Sequence, residues 1–524
     1  TISEKVKKII RRIFRITLTT ILVLFSVILL ILLLIQTSPV QNYGRGKIEA
    51  YLEKKLHTKV RIGNLYIGLP TKVILKNIYL EDQQKDTLLS GGNIEVDISM
   101  LKLLQHEVRL NDIELNGLTL KVKRLMPDTV FNYQFIADAF SSPGKKPTDP
   151  GDSTGGFGFT IGSIHLQHIR AVYRDDATGN DVSIYLGDFK TKLNTFDPAH
   201  QLYSIPDISL AQVSGRVRQY QPILILKNIA DTISEHNKAS APVRLKLGHI
   251  GFDQIALDYR NDAERMDAGI RLGSFETIAD SIDLGNLRIR LKKVLLSNTT
   301  VDVRFGMKSK TPPNKEKLKS DTISHTGTWA FDVAAFNVDH TRLRYRDDNK
   351  KPVKKGIDYN HLDVNHLNIQ ATALHADPAN YSGKIDGISL DEKSGLVLSK
   401  LSAEASYNEK SAALKDLVIQ TSRSGIRAQS AIYYPSTASF SKHPGNIQTD
   451  LLFDHSRISM QDVLLFAPAL ADHLKGEEHA VLTLNGKING QVKNLHIPYL
   501  EIGGIGNTSL AASGNIRGLP DGKK

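Results

Sequence analysis

Three tetrads hold the residues of this chain best suited to chemistry: Tyr173-Arg174-Asp175-Asp176, Tyr259-Arg260-Asn261-Asp262 and Tyr345-Arg346-Asp347-Asp348 recur 86 residues apart. Neighbouring carboxylates are oxygen ligands of the kind calcium takes. Here they run into Gly179-Asn180 and Asn349-Lys350. Asp and Asn ahead of such residues bond their own backbone and build hairpin turns, so the turn is the expected role, with the arginine capping or pairing the carboxylates. His361, His366 and His375 could bind a metal only if they met. Strand alternation puts the first two on opposite faces, and no shared ion is expected. Asp152-Ser153-Thr154-Gly155 has the form of an aspartic-protease turn but sits in a Gly- and Pro-rich linker without a second copy. There is no nucleophile elbow, phosphate loop or helical His-Glu-His zinc motif. The absence of cysteine excludes disulfides, thiol catalysis and Cys-ligated zinc. The expectation is a protein that is not an enzyme and carries no cofactor.

The tetrads are better read as landmarks of a repeat. The same offset aligns Ile164, Ile250 and Phe336, then Leu166, Phe252 and Val338, then Ala171, Leu257 and Leu343. Asn77-Ile78-Tyr79-Leu80-Glu81-Asp82 resembles a degenerate earlier copy. Polar connections rich in Pro, Gly, Ser and Lys precede the copies, at Ser141 to Gly158, Glu235 to Ala241 and Lys308 to Gly327. Stacked supersecondary units of one architecture follow from this, each expected to hold five or six strands.

Within the copies the apolar period is two. Leu118, Leu120 and Val122 alternate with Thr119, Lys121 and Lys123; Leu287, Ile289 and Leu291 with Arg288 and Arg290; Val301, Val303 and Phe305 with Asp302 and Arg304. Such segments are strands with one wet and one dry face. Helices are scarce, with candidates at Phe131 to Phe140, Tyr220 to Glu235 and Ser456 to Leu474, the last interrupted by Pro468. None is long enough to cover a sheet made from most of the chain.

The N-terminus differs. Ile16 to Ile35 is uncharged and nearly all aliphatic, with Ile16, Leu18, Leu22, Leu24, Phe25, Ile28, Leu30, Leu32, Leu34 and Ile35 as the anchor positions. At about 1.5 Å per residue this run crosses a hydrocarbon core of roughly 30 Å. A cleaved secretion signal would be shorter and end in small residues, whereas this run ends Gln36-Thr37-Ser38-Pro39. Lys5, Lys7, Lys8, Arg11, Arg12 and Arg15 lie on one flank only, which predicts a single pass with the N-terminus cytoplasmic and everything after Gln36 exported. These cations also supply part of the net charge of +12. With no helix-turn-helix, zinc-finger or RNP pattern, no nucleic-acid partner is expected.

Residues 1–15 are thus a cytoplasmic basic segment, 16–35 a transmembrane helix and 36–58 a juxtamembrane amphipathic helix with Val40, Tyr43, Ile48, Tyr51, Leu52 and Leu56 as its apolar positions. A first β segment covers 59–140 and a linker 141–159. Three β repeats follow at 160–241, 242–327 and 328–415, and 416–524 is a further β segment with a short helix near 456–474. A one-sided sheet of this length must close, pair, or shelter something else on its dry face. For a membrane-tethered chain the filler is acyl chains, at about 0.8 kcal/mol per buried methylene. The residues expected to face lipid are Leu118, Leu120, Val122, Leu166, Leu245, Leu247, Ile255, Leu257, Leu287, Ile289, Leu291, Val301, Val303 and Leu343. Two functions stay open: a lipid conduit, and an assembly scaffold that receives outer-membrane strands by edge addition. A sealed, adhesin-like solenoid is a third, blander option.

The anchor followed by Pro39-Val40-Gln41-Asn42-Tyr43, the phrase from Tyr51 to Gly63, and Ile78 to Leu88 resemble the TamB-like translocation and assembly module proteins of Bacteroidota, within the AsmA-like superfamily. Ile458 to Leu470, Gly486 to Leu495 and Ala512 to Asp521 fit that family's recurring phrases, so the resemblance spans nearly the whole chain. It implies a mostly β protein with an N-terminal transmembrane helix and an elongated, repetitive β-taco, a U-shaped sheet with an apolar groove. It also implies inner-membrane anchoring, a periplasmic body, phospholipid as cargo, and an insertase-type outer-membrane barrel as partner. That barrel would be met through a C-terminal region absent from this sequence, which resembles the membrane-proximal part of a longer chain.

Overall fold

A computed structural model describes residues 4–68, 71–99, 102, 107–128, 130–140, 158–197, 201–220, 244–307, 329–505 and 508–519. The linker over 141–157, the Asp152 turn, the helix expected beyond Tyr220, and the polar connections at Glu235 to Ala241 and Lys308 to Gly327 lie outside the described residues.

Helix α1, Glu4–Ile35, contains neither Gly nor Pro, and Arg11–Ile35 within it is long and apolar enough to cross a membrane. Its large apolar side chains are exposed, Leu24 and Phe25 by 61% and 63%, as a helix with no protein partner requires. Thr37 turns extended and starts helix α2, Ser38–Leu56, where Pro39 sits in the first turn and needs no N–H partner. The helix ends on His57 in the left-handed region.

Strand content dominates the rest, and the twenty-two strands are assigned to one sheet. The chain forms two compact units. The first comprises Thr1–Ala177, Tyr185–Lys190 and Thr195–Ala199; the second Thr178–Ile184, Thr191–Asn194 and His200–Lys524.

In the first unit, β1 (Val60–Gly68), β2 (Lys72–Glu81), β3 (Thr87–Ile98) and β4 (Glu107–Arg124) form an antiparallel meander, and β4 pairs in parallel with β5 (Gly158–Asp175). Residues opposite one another share a face. Leu65, Leu75, Ile94, Leu115 and Leu166 make one apolar row, and Val60, Leu80, Leu89, Leu120 and Ala171 another. The other face carries Lys76, Asn93, Asn116 and Gln167. The edge of β1 is closed by polar contacts from α2. Arg45 donates to the carbonyls of Ile62 and Gly63 at 3.1 and 3.2 Å, while Glu49 and Glu53 accept the N–H groups of Ile62 and Val60 at 2.6 and 3.2 Å. These three side chains recur every four residues, which puts them on one helical face. Val40, Tyr43, Ile48 and Tyr51 are exposed instead.

Strands β6 (Asn180–Lys192) and β7 (Thr195–Asp197) have residues in both units or at their margin. In the second unit β8 (Leu202–Gln219) pairs in parallel with β9 (Arg244–Asn261), which is antiparallel to β10 (Met266–Asp283). β10 pairs with both β11 (Arg288–Ser297) and β12 (Thr300–Phe305), and these run parallel to β13 (Ala330–Asp347). From β13 the chain is an antiparallel meander through β14 (His361–Ala376), β15 (Asn380–Glu392), β16 (Leu396–Asn408), β17 (Ser411–Thr421), β18 (Gly425–Tyr433), β19 (Gln448–Ser459), β20 (Val481–Gln491), β21 (Asn494–Ile505) and β22 (Thr508–Arg517).

The 86-residue repeat is visible in the strands themselves. β5, β9 and β13 are each 18 residues long and begin 86 residues apart; β8 and the broken pair β11 and β12 stand in the same relation. A repeat therefore supplies three strand positions, not the five or six expected. Strands of about 60 Å replace the short ones assumed. Each parallel junction coincides with a long connection, as parallel neighbours require.

One residue interrupts β4, β5, β8, β9, β13 and the β11–β12 pair at the eleventh position. Gly117, His168, Gln212, Gln254, Asn298 and His340 have φ of +72°, +51°, +54°, +53°, +52° and +48°. In the first unit the interruption runs across neighbouring strands as Gly63, Asn77, Gly92, Gly117 and His168, which drop out of the pairing. The register is the same on either side of this row, so no strand gains a residue over its neighbour; the row is a line of facing kinks, with Asn77, Gly92, Gly117 and His168 left-handed.

Candidate functional site

The tetrads are turn and ion-pair devices. Asp175 and Asp347 accept the backbone N–H two residues on, from Ala177 and Asn349, and Asn261 accepts that of Glu264, three residues on. The following aspartates take arginines: Asp176 from Arg174, Asp262 from Arg218 and Arg260, Asp348 from Arg304. In the degenerate copy, Asp82 is fully buried and caps its turn through the N–H groups of Gln84 and Asp86. The histidines are dispersed, each against its own carboxylate: His361 on Asp358, His366 on Asp391, His375 on Asp332 and Asp377.

His375 is held between Asp332 at 2.7 Å and Asp377 at 3.0 Å. Hydrogen bonding to Asp332 and then Asp377 raises its pKa above the ordinary 6.5, while His375 and the N–H of Ala379 pull Asp377 down to about 2. The stabilisation from His375 is thus complete below 6.5 and fades as pH rises through the elevated value. That from Asp377 has the opposite sense, complete above 3.8 and lost as pH falls towards about 2. In an NMR titration the His375 ring should titrate above 6.5, and Asp332→Asn should lower its midpoint. An unchanged midpoint in that variant would show the contact to be idle.

The residues expected to face lipid fall on the apolar side of the strands. Leu257, Val301 and Leu343 are brought into one row with Gly215, Ile270 and Val364. Val303 lies between Ala268 and Tyr345, and Ile255 between Val213 and Leu272. Leu245 and Leu247 face Tyr203 and Ile205, and Ile289 and Leu291 face Phe331 and Val333. Leu118 and Leu120 share their rows with Gly91 and Leu89, Leu166 lies beside Leu115, and Val122 beside Tyr173. Leu287 does not belong to a strand. It occupies the turn before β11 at φ +51°, and its carbonyl takes the N–H of Ala330.

Burial differs along these rows. Leu118 and Ile255 are only 4% and 7% exposed, but Leu120 and Leu257 keep 37% and 36%. Helices cover little of the face: α2 lies on β1, and the short helix α3, Gln134–Phe140, follows Phe131, whose ring stands 5.8 Å from Tyr173. Helix α4, Met460–Phe466, packs on β19.

An open apolar hollow lies further along the second unit. A cavity of about 640 Å3 is walled by β13 to β18, through Phe331, Val333, Phe336, Leu374, Ile385, Ala405, Ala412, Leu414 and Ile432. Tyr381 and Tyr407 stand at it with ring centroids 6.0 Å apart. Phe331, Tyr381 and Tyr407 stay 41%, 48% and 44% exposed, so the hollow is open. Its size and lining are those of sites that take apolar ligands. None of the residues expected to face lipid lines it; the repeat landmark Phe336 and the histidine His375 do. The signal available was the Phe331 and Val333 alternation opening the third copy, continued by Tyr381, Ile385 and Tyr407.

No family model matches the chain, and no curated protein matches it.

Proposed function

We propose that this chain is a membrane-anchored lipid conduit, holding the acyl chains of phospholipids against the apolar face of its sheet while it moves them from the inner membrane through the periplasm towards the outer one. The observation that carries this is the open apolar hollow under Phe331, Tyr381 and Tyr407, continuing rows of half-exposed Leu, Ile and Val. Large exposed apolar surface is tolerated in water only where something covers it. The helix Arg11–Ile35 supports delivery from a bilayer, and the one-sided cluster of Lys and Arg before it supports a cytoplasmic N-terminus.

Strand addition by outer-membrane proteins is the weaker reading. It needs an unpaired strand edge: α2 occupies that of β1 with Arg45, Glu49 and Glu53, which leaves, among the described residues, the outer side of β22, paired only with β21. Photocrosslinking amino acids at Leu257, Ile289, Leu343 and Tyr407 should capture phospholipid in living cells. Adducts of outer-membrane protein strands would transfer the case to the scaffold, and crosslinks to this chain alone would mean a sealed core.

A further inference from the structure

The polar face of the second unit contains a hollow of about 780 Å3 unlike the rest of the sheet. It lies across β8, β9, β10, β12 and β13, behind the strands whose other side carries Leu257, Ile270, Val301 and Leu343. Two rows form its floor. One runs Arg216, Asp258, Gly269, Asp302, Arg344, and the absent side chain at Gly269 leaves its centre empty. The other runs Arg218, Arg260, Asp267, Arg304, Arg346.

The second row places like charges directly opposite one another, Arg218 against Arg260 and Arg304 against Arg346. Such pairs are destabilising unless an anion answers them. The carboxylates within reach do so incompletely. Asp262 is shared by Arg218 and Arg260 at 2.8 and 3.0 Å, and Asp302 by Arg344 and Arg346 at 2.7 and 3.4 Å. Asp258 takes Arg271 at 2.6 Å and Asp348 takes Arg304 at 2.7 Å. Among the described residues, Arg216 lines the hollow with no carboxylate partner, and the Nε of Arg344 is buried without a hydrogen-bond acceptor. A ladder built only for solubility would balance its charges; this one leaves cationic donors unanswered around an empty floor.

We infer that the hollow binds phosphate groups, two or more of them carried on one ligand. Guanidinium forks match phosphate oxygens in bidentate geometry, and arginines on successive strands at about 4.8 Å spacing present such forks in series. The phosphates could belong to a lipid headgroup or to a free polyphosphate. The full chain in neutral detergent micelles should bind inorganic tripolyphosphate in calorimetry. Arg216→Gln and Arg344→Gln should each weaken binding about tenfold, the loss expected for one charged hydrogen bond. Arg216→Gln strips no carboxylate of its partner, so folding is preserved; Lys246→Gln, elsewhere on the same strand set, should leave affinity unchanged. Displacement of tripolyphosphate by dioctanoylglycerol pyrophosphate, a lipid that carries two phosphates, assigns the site to lipid headgroups, and failure to displace it assigns the site to free polyphosphate. No binding, or binding indifferent to both arginine variants, overturns the inference.

Discussion

Asp175→Ala should destabilise the protein by about 3–5 kcal/mol, because it leaves a cation buried without its counter-ion. Asp175 is 1% exposed and holds Arg124 in a two-point contact at 2.8 and 2.6 Å. Its Oδ1 also accepts the N–H of Ala177, and its Oδ2 accepts the hydroxyl of Tyr173. Arg124 in turn lies over the Phe131 ring at 4.6 Å, so it has no route to water without disturbing that packing. A guanidinium keeps its proton at any working pH, so with Asp175 gone deprotonation offers Arg124 no escape. Chemical denaturation followed through a probe in the first unit should show the loss. Asp347→Ala, one copy-pair later in the same motif, should be far milder, because its carboxylate caps a turn at the surface. Equal losses at the two positions would refute the importance given to burial.

Gly92→Ala should cost roughly 2–4 kcal/mol, and Gly117→Ala about 1 kcal/mol, although the two glycines face each other in the row of kinks. Gly92 has φ of +58° and a Cβ there would stand 2.2 Å from the carbonyl oxygen of Asn116, a backbone atom that can move only with its strand. Gly117 has φ of +72°, and the nearest atom to its Cβ would be the Gly92 Cα at 3.5 Å. Asn77 and His168 take the same left-handed conformation in the same row with full side chains. Backbone conformation by itself is therefore tolerated, and steric exclusion decides. Thermal melting of both variants separates the two causes.

The membrane-length helix, the abundance of strands and the 86-residue period were all legible, because each rests on local composition or on recurrence. Strand length was not. A two-residue period carries no information about when a strand stops, and the kinks reset it. Apolar residues in β9 fall at Leu245, Leu247, Ile250, Phe252, Ile255 and Leu257, so steps of three interrupt the steps of two. That pattern looks like a strand ending when the pairing continues on both sides at the same register. His168, Gln254 and His340 stand at the repeat spacing and could have exposed the kink, but polar side chains in a left-handed conformation have no apolar signature.

Helix α2 was legible as a helix, but the apolar stripe it was read from is mostly exposed, with Leu56 buried and Val40, Tyr43, Ile48 and Tyr51 in the open. Arg45, Glu49 and Glu53 follow a helical spacing as regular as any apolar stripe, and what they satisfy is exposed backbone. The apolar hollow escaped because its walls come from strands with different local patterns. Only the register joins Phe331 to Ala376 and Tyr381 to Tyr407.

The identical handover between copies, one strand passing a parallel edge to the next, makes length an adjustable dimension. Inserting another 86-residue copy would add three strand widths, about 14 Å, while presenting the following copy with the same docking edge. A gene for such a protein could set the number of strands in its sheet by duplication or loss of whole copies, with no new interface to invent.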